Sequence, residues 1–285
     1  LSPLEMIAVM LTMTAGTIML MWLGELITEQ GIGNGISVLI FVGIVGSMPV
    51  SFFRAGGLIT ADNILTYAAV LVAALVIIMG VVVGSEGLRK IPVQYARRVR
   101  GNRLYGGQTT FLPLKVNQAG VIPIIFAVSL VLIPGVVGTF LSNYPNIQIK
   151  NFADAVVNFS RNVPLYSGVY FFLVVVFTYF YTSVIFNPTK VSDEIKKYGG
   201  FIPGIRPGKA TADYLSFIVN RITLVGAVFL GSIAVMPFIL QEITKISVLA
   251  VGGTGLLIVV SVVLETAKQL ESQLVMRSYE GFLNK

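Results

Sequence analysis

The sequence has no cysteine and no histidine among its 285 residues. Without cysteine there is no disulfide framework, no thiolate nucleophile and no thiolate-bound metal. Without histidine the commonest general base, the commonest metal ligand and every Ser–His–Asp triad are gone. Charge is scarce too: Asp, Glu, Lys and Arg together make up 12%, against about 25% in a typical soluble domain. That is too little to solvate the surface of a globule this size. Hydrophobic residues reach 55% and the mean hydropathy is +0.85, which points to a polytopic membrane protein. The charge that remains is unbalanced, at +7, and suits an anionic partner or a membrane surface.

The apolar residues gather into uncharged windows long enough to cross a bilayer, which takes roughly 17–25 residues. There are seven, at residues 6–23, 36–53, 64–84, 119–141, 165–186, 222–240 and 248–264. Backbone in lipid must satisfy its hydrogen bonds internally, so these windows are expected to be helices. Their β-branched runs lack the alternation of a barrel strand. Between them, residues 24–35 are short and glycine-rich, 85–118 and 187–221 are long and basic, and 142–164 are polar with turn residues. Of the 20 cations, seven lie in the first long loop, six in the second and three in the C-terminal tail. Only Arg54, Lys150, Arg161 and Lys245 fall on the other side. The excess places both long loops and the C-terminus in the cytoplasm. The turn at 24–35 then belongs there too, although it carries Glu25 and Glu29 and no cation.

Several chemistries can be set aside. An intramembrane aspartyl protease needs two carboxylates at membrane depth, and Asp62, Asp154, Asp193 and Asp213 all lie in connections. Membrane metalloproteases and Ser–His dyads need histidine. Ser232 and Ser261, inside apolar windows, are expected to bond their own helix backbone. Gly31-Ile32-Gly33-Asn34-Gly35 follows an apolar helix and lacks a Walker Lys-Ser/Thr pair, so it reads as a tight turn between helices. Gly80 and Gly84 form a GxxxG pair that offers a helix-contact face. Pro123 falls in the first turn of its window, where a missing donor costs least, whereas Pro134 should kink or end its helix. The absence of charge from every window argues against ion-coupled transporters and proton pumps, which bind or relay ions through intramembrane charges. A secondary transporter of a small amphipathic solute is the alternative function. In the first long loop the cations interleave with Tyr95 and Tyr105. That pattern resembles an RNA-binding surface, or else a topology determinant and a contact with anionic lipid.

Six strings carry a family resemblance: MWLGELITEQGIGNGIS at 21–37, the stretch from IPVQYARRVRGNRLYGG through VIPIIFA at 91–127, VIFNP at 184–188, GGFIPGIRPGKATADYL at 199–215, RITLVGA at 221–227 and GGTGLLIVV at 252–260. In this order they resemble the SecY family, pore subunits of the bacterial-type Sec protein translocation channel. The resemblance runs nearly end to end and is least informative over 142–164.

It implies an all-α polytopic membrane protein whose seven transmembrane helices are helices four to ten of a ten-helix inverted-repeat channel. Residues 1–63 are then the last two helices of the N-terminal half. Residues 64–285 are the complete C-terminal half of five helices, with cytoplasmic loops 85–118 and 187–221. Because the chain opens at Leu1 and not at Met, the first three helices, the plug and one wall of the lateral gate are expected outside it. The implied function is a passive conduit, not an enzyme and without a cofactor. It lets unfolded polypeptides cross the membrane and releases hydrophobic segments sideways into lipid. The implied partners are SecE and SecG, the SecA motor, the ribosome through its RNA, and the nascent chain or preprotein. The implied location is the plasma (inner) membrane of a bacterium, multi-pass, with a cytoplasmic C-terminus. By motif, the resemblance assigns Ile36, Ile40, Ile125 and Ile258 to an aliphatic pore ring. It assigns Arg97, Arg98, Arg100, Arg103 and Arg206 to ribosome or SecA docking. Pro123 and Ser129 fall on the lateral-gate helix, with residues 165–186 behind it.

Overall fold

The computed structural model of the chain describes residues 2–31, 33–57, 64–95, 98–100, 103–105, 109–142, 146–244 and 248–283. In chain order its elements are α1 (Pro3–Glu29), α2 (Gly35–Gly56), α3 (Ile64–Glu86), β1 (Leu88–Tyr95), β2 (Arg98–Arg100), β3 (Arg103–Tyr105), β4 (Thr109–Lys115), α4 (Ile122–Leu141), α5 (Ile147–Arg161), α6 (Val163–Ile185), α7 (Pro188–Lys197), β5 (Gly200–Phe201), α8 (Lys209–Thr244) and α9 (Val248–Leu283). Each of the seven apolar windows falls on one helix: α1, α2, α3, α4, α6, α8 and α9. Among the described residues, five helical segments are long and apolar enough to cross a membrane, and the apolar part of α2, Gly35–Val50, is shorter.

The helix starts are written locally. Ser2 and Glu5 form a reciprocal capping box at α1, which satisfies two otherwise orphaned donors. Asn146, Asn162 and Asn187 cap α5, α6 and α7, each with a side-chain oxygen accepting a first-turn N–H. Pro164 and Pro188 follow in the first turns of α6 and α7, where proline is tolerated. Pro134 does not end α4, which continues to Leu141.

Packing divides the chain into two compact units, Leu1–Ala73 with Thr254–Lys285, and Ala74–Gly253. This division by contact differs from the two topological halves implied by the family resemblance. In the first unit α1 packs on α2. In the second, α6 packs closely on α8, with the Phe171 ring beside Gly231. Gly84 lies against the ring of Phe229 and Gly80 faces Ile233, so the GxxxG pair is a helix-contact face. Ser232 bonds its own helix, donating to the Val228 carbonyl at 2.8 Å. Ser261 departs from that expectation: its hydroxyl is buried without a hydrogen-bond partner.

The two long basic loops are not simple connections. Strand β1 pairs antiparallel with β4 from Leu88 opposite Lys115 to Gln94 opposite Thr109. On its other side Gln94 and Tyr95 pair with Phe201 and Gly200 of β5. Ile91, Val93 and Leu114 of this sheet are buried with Ile202 and with Leu215, Ile218 and Val219 of α8. At 36 residues, α8 is about 54 Å long, well beyond a hydrocarbon core of roughly 30 Å. Its apolar window begins at Ile222, and the more polar turns before it, through Leu215, Ile218 and Val219, cover the sheet. The α-helical membrane architecture thus holds, with a small sheet added at its edge.

Two short helices occupy stretches read from sequence as connections. Helix α7 crosses part of the second basic loop and packs on α8. Helix α5 lies within 142–164, and its Ile149, Ala153, Val156 and Ser160 share one face. Ala153 is fully buried, because Gly138 of α4 lets its backbone approach. Asp154, Asp193 and Asp213 consequently sit on helices, and all three are exposed.

Candidate functional site

The link between α1 and α2 is bonded closely. Gly31 and Gly33 have φ of 78° and 105°, left-handed values that strain any residue with a Cβ. Thr28 Oγ1 donates to the Gly24 carbonyl and accepts from the Gly35 N–H, both at 2.9 Å. Asn34 Oδ1 accepts from the N–H groups of Ile36 and Ser37 at the start of α2. Gln273 of α9 donates to the Gly31 carbonyl. These bonds tie the described residues of the glycine motif into a tight link between α1 and α2. A Cβ on Gly35 would overlap the Gly24 carbonyl oxygen, whereas one on Gly43 meets nothing within 4 Å. Gly35→Ala is therefore expected to destabilise the purified protein by roughly 1–3 kcal/mol, the usual cost of overpacking. Gly43→Ala should not. Thermal unfolding in detergent checks both.

In this unit α2 and α9 run in opposite directions. The turn residues Gly31 and Gly33 meet Gln273 and Gln269, while Ile44 meets Gly255. Ile40 lies one turn before Ile44, and Ile258 one turn after Gly255. That places Ile40 and Ile258 at about the same level, with Ile36 one turn nearer the α1–α2 link. Their environments differ: Ile36 is 50% exposed, Ile40 is half-buried and Ile258 is 8% exposed. The fourth ring residue, Ile125, belongs to the second unit. It is half-buried in the first turns of α4, and its carbonyl accepts from Ser129 Oγ at 2.8 Å. Ser129 is exposed with its donor already used, and Pro123 is fully buried.

The second unit carries the other set of assigned residues. Arg97 lies outside the described residues. Arg98 and Arg100 lie on β2 and Arg103 on β3, in a hairpin whose register sets Arg100 opposite Arg103. Arg206 is exposed in the loop between β5 and α8. That loop is fixed from beneath. Thr211 Oγ1 donates to the Arg206 carbonyl at 2.9 Å, and Ser192 Oγ of α7 donates to the Gly208 carbonyl at 2.7 Å. Gly204 and Gly208 take φ of 81° and 103°, and Ile205 packs against the buried cluster under the sheet. Sequence reasoning did not single out Ser192 and Thr211, both about 1% exposed. No spacing rule marks them, because the Ser192 bond spans sixteen residues.

Between α6, α7 and α8 there is a cavity of about 180 Å³ lined in part by Tyr179, Thr182, Ser183, Phe186, Asn220 and Thr223. Its lining has no acid–base pair. Among the described residues no group of three or more His, Cys, Asp or Glu could hold a metal ion. The first unit presents an aliphatic level on α2 and α9, and the second presents a loop at Arg206 whose backbone is held by Ser192 and Thr211.

Comparison with known proteins adds to this geometry. A family model described as SecY matches residues 2–267. The chain is 50% identical over 285 residues to the protein translocase subunit SecY of Mycobacterium leprae, covering 98% of this chain and 64% of that protein. It is 48% identical over 278 residues to the subunit of the same description from Thermotoga maritima, covering 96% of this chain and 61% of that one. The chain therefore spans less than two thirds of the length of these relatives. Two solved structures share the fold. One is described as the structure of a protein conducting channel, with a TM-score of 0.66 at 21% identity over 96% of this chain and 67% of its own. The other concerns the plug domain of SecY and the closed state of the translocation channel, with a TM-score of 0.63 at 22% identity over 96% of this chain and 68% of its own.

Proposed function

The chain belongs to the SecY family, and from that premise we propose that it forms most of the wall of a passive protein-conducting channel. Unfolded polypeptides cross through it, and sufficiently hydrophobic segments leave sideways into lipid past α4. One observation carries this reading: Ile40 and Ile258 lie at about the same level, with Ile36 one turn away, on helices whose membrane windows hold no ionisable residue. An aliphatic constriction dewets and blocks ions, yet its side chains can deform around a passing peptide. A fixed charge at that level would trap chains of opposite sign and admit water. The same lack of charge disfavours the transporter reading. Ile125 of α4 completes the ring in this proposal, and Ser129 and Pro123 mark the gate helix.

The docking surface is the loop at Arg206 with the hairpin at Arg98, Arg100 and Arg103. It faces the cytoplasm of a bacterium and receives SecA or ribosomal RNA, while SecE and SecG complete the channel in the plasma membrane. Arginine suits phosphate and carboxylate through its fixed bidentate fork. The channel carries out no chemistry of its own. To test this, the segment replaces the matching part of a bacterial SecY in cells depleted of their own channel subunit. Preprotein export is expected to be restored, and persistent accumulation of unprocessed precursor would contradict the proposal.

A further inference from the structure

One stripe of α9 runs from the membrane window into the polar end of the helix. Gly255, Ile258, Val262, Thr266, Gln269 and Gln273 follow one another at steps of three and four residues, so they share a face about 80° wide. Within the window the stripe is apolar: Gly255 meets Ile44 of α2, and Ile258 and Val262 are buried. Beyond Leu264 it turns polar but stays uncharged. Lys268 and Glu271, the charged residues between Thr266 and Gln273, lie on other faces of the helix. Neutral amides suit a packed face, because each offers a donor and an acceptor and carries no charge to desolvate.

The polar part of the stripe meets the α1–α2 link. Gln273 donates to the Gly31 carbonyl. A Cβ on Gly33 would stand 3.5 Å from Gln269 Oε1 and 3.8 Å from Thr266 Oγ1. Gly33 is buried and Gln273 half-buried. On its own side the link is already tied to both helices through Thr28, Asn34 and the approach of Gly35 to the Gly24 carbonyl. Helices α1 and α2 therefore behave as one hairpin. Among the described residues that hairpin approaches α9 closely at few points, Ile44 on Gly255 among them. An apolar contact is non-directional and fixes separation better than height. A hydrogen bond is directional, and a slip of one turn, about 5.4 Å, breaks it.

We propose that Gln273, with Gln269 and Thr266 beside it, is a positioning clamp that holds the α1–α2 link on α9 and so fixes the height of α2 along it. This rests on the ring proposed for Ile36, Ile40, Ile125 and Ile258: the clamp keeps Ile40 level with Ile258, and the aliphatic constriction closed to ions.

The test uses the full channel in membranes, with Ile44→Cys and Gly255→Cys as a height gauge. The chain has no cysteine of its own, and any cysteine elsewhere in the channel is replaced by serine. A protease site in the α2–α3 link reveals the disulfide as a retained fragment. Ile44 Cγ2 lies 3.1 Å from the position of a Cβ on Gly255, so the pair stands within disulfide reach. Gln273→Glu keeps the shape of the side chain and loses its donor, whereas Gln273→Lys keeps a donor. Gln273→Glu is expected to slow disulfide formation at least about twofold, and to raise the resting ion leak several-fold in the channel without the cysteine pair. Gln273→Lys should match the parent in both. Parent-rate disulfide formation in Gln273→Glu would overturn the proposal. Equal loss in the two variants would overturn it as well, since the effect would then lie in packing and not in the donor. So would a parent-level leak in Gln273→Glu where serine at the four ring positions does make the channel leak. Failure of the ring reading looks different: the four-fold serine variant does not leak, while the difference between Gln273→Glu and Gln273→Lys in disulfide formation persists. Equal amounts of folded protein, read by thermal unfolding in detergent, are compared throughout.

Discussion

Arg206→Glu is expected to abolish preprotein translocation while leaving the protein inserted and folded in the membrane. The separation follows from how the loop is built. Its backbone is held by the Thr211 and Ser192 hydroxyls at 2.9 and 2.7 Å, and Ile205 anchors it to the core under the sheet. The Arg206 side chain itself is exposed and takes no part in those bonds. Replacing it changes the presented charge and leaves the platform in place. Where a charged group is paired across a docking interface, loss of one partner costs roughly 2–5 kcal/mol, a factor of about thirty or more in affinity. Reversal adds repulsion to that loss. Arg206→Lys should fall between, because an ammonium keeps the charge and loses the bidentate fork. Translocation into inverted membrane vesicles, with channel yield and protease resistance measured in the same membranes, reads both effects. Normal translocation by Arg206→Glu would remove the loop from the docking surface.

The second large effect is expected at the apolar ring. Serine at Ile36, Ile40, Ile125 and Ile258 in the full channel should raise its resting ion leak several-fold, because hydroxyls hold water where aliphatic side chains expel it. Burial separates the seal from the fold. Ile258 is 8% exposed, and truncating such a side chain costs about 2–5 kcal/mol of stability. Ile36, at 50% exposure, should lose little. Ile36→Ser together with Ile40→Ser is therefore the cleaner pair, and leakage that rises without a fall in thermal stability reads the seal alone. Unchanged conductance in the four-fold variant would argue against the ring.

Much of this organisation was legible in the residues. Seven uncharged windows became seven helices, and the asparagine caps before α6 and α7 stand at the chain positions where polar connections meet apolar runs. The glycine turn could be read because Gly31 and Gly33 need left-handed backbone. The sheet was harder to see. Ile91 and Val93, and Leu112 and Leu114, do alternate, but Pro92 and Pro113 interrupt both runs, and proline within a run argues against a strand. The register explains why it is tolerated: β5 pairs only with Gln94 and Tyr95, so at Pro92 strand β1 has a neighbour on one side alone. Helix α5 was hidden by its composition, since Asn151, Asp154 and Asn158 read as turn residues until the Ile149–Ala153–Val156–Ser160 face is placed against Gly138. The supports of Arg206 were illegible for another reason. Ser192 and Thr211 act on backbone carbonyls, and nothing in a side-chain pattern announces a bond to a main-chain atom. Ser261 shows the same limit from the other side, because its unpartnered hydroxyl depends on packing that helix periodicity does not describe.

The central claim is that a polypeptide passes through this protein beside its aliphatic residues. Photo-activatable side chains placed at Ile125 and at Ile258 of the full channel, with a translocating chain arrested partway, test it most directly. The account predicts that both positions capture the arrested polypeptide, and that a probe at Phe140, 78% exposed in the last turn of α4 and about 22 Å along the helix from Ile125, does not. No capture at Ile125 and Ile258, or equal capture at Phe140, would contradict it.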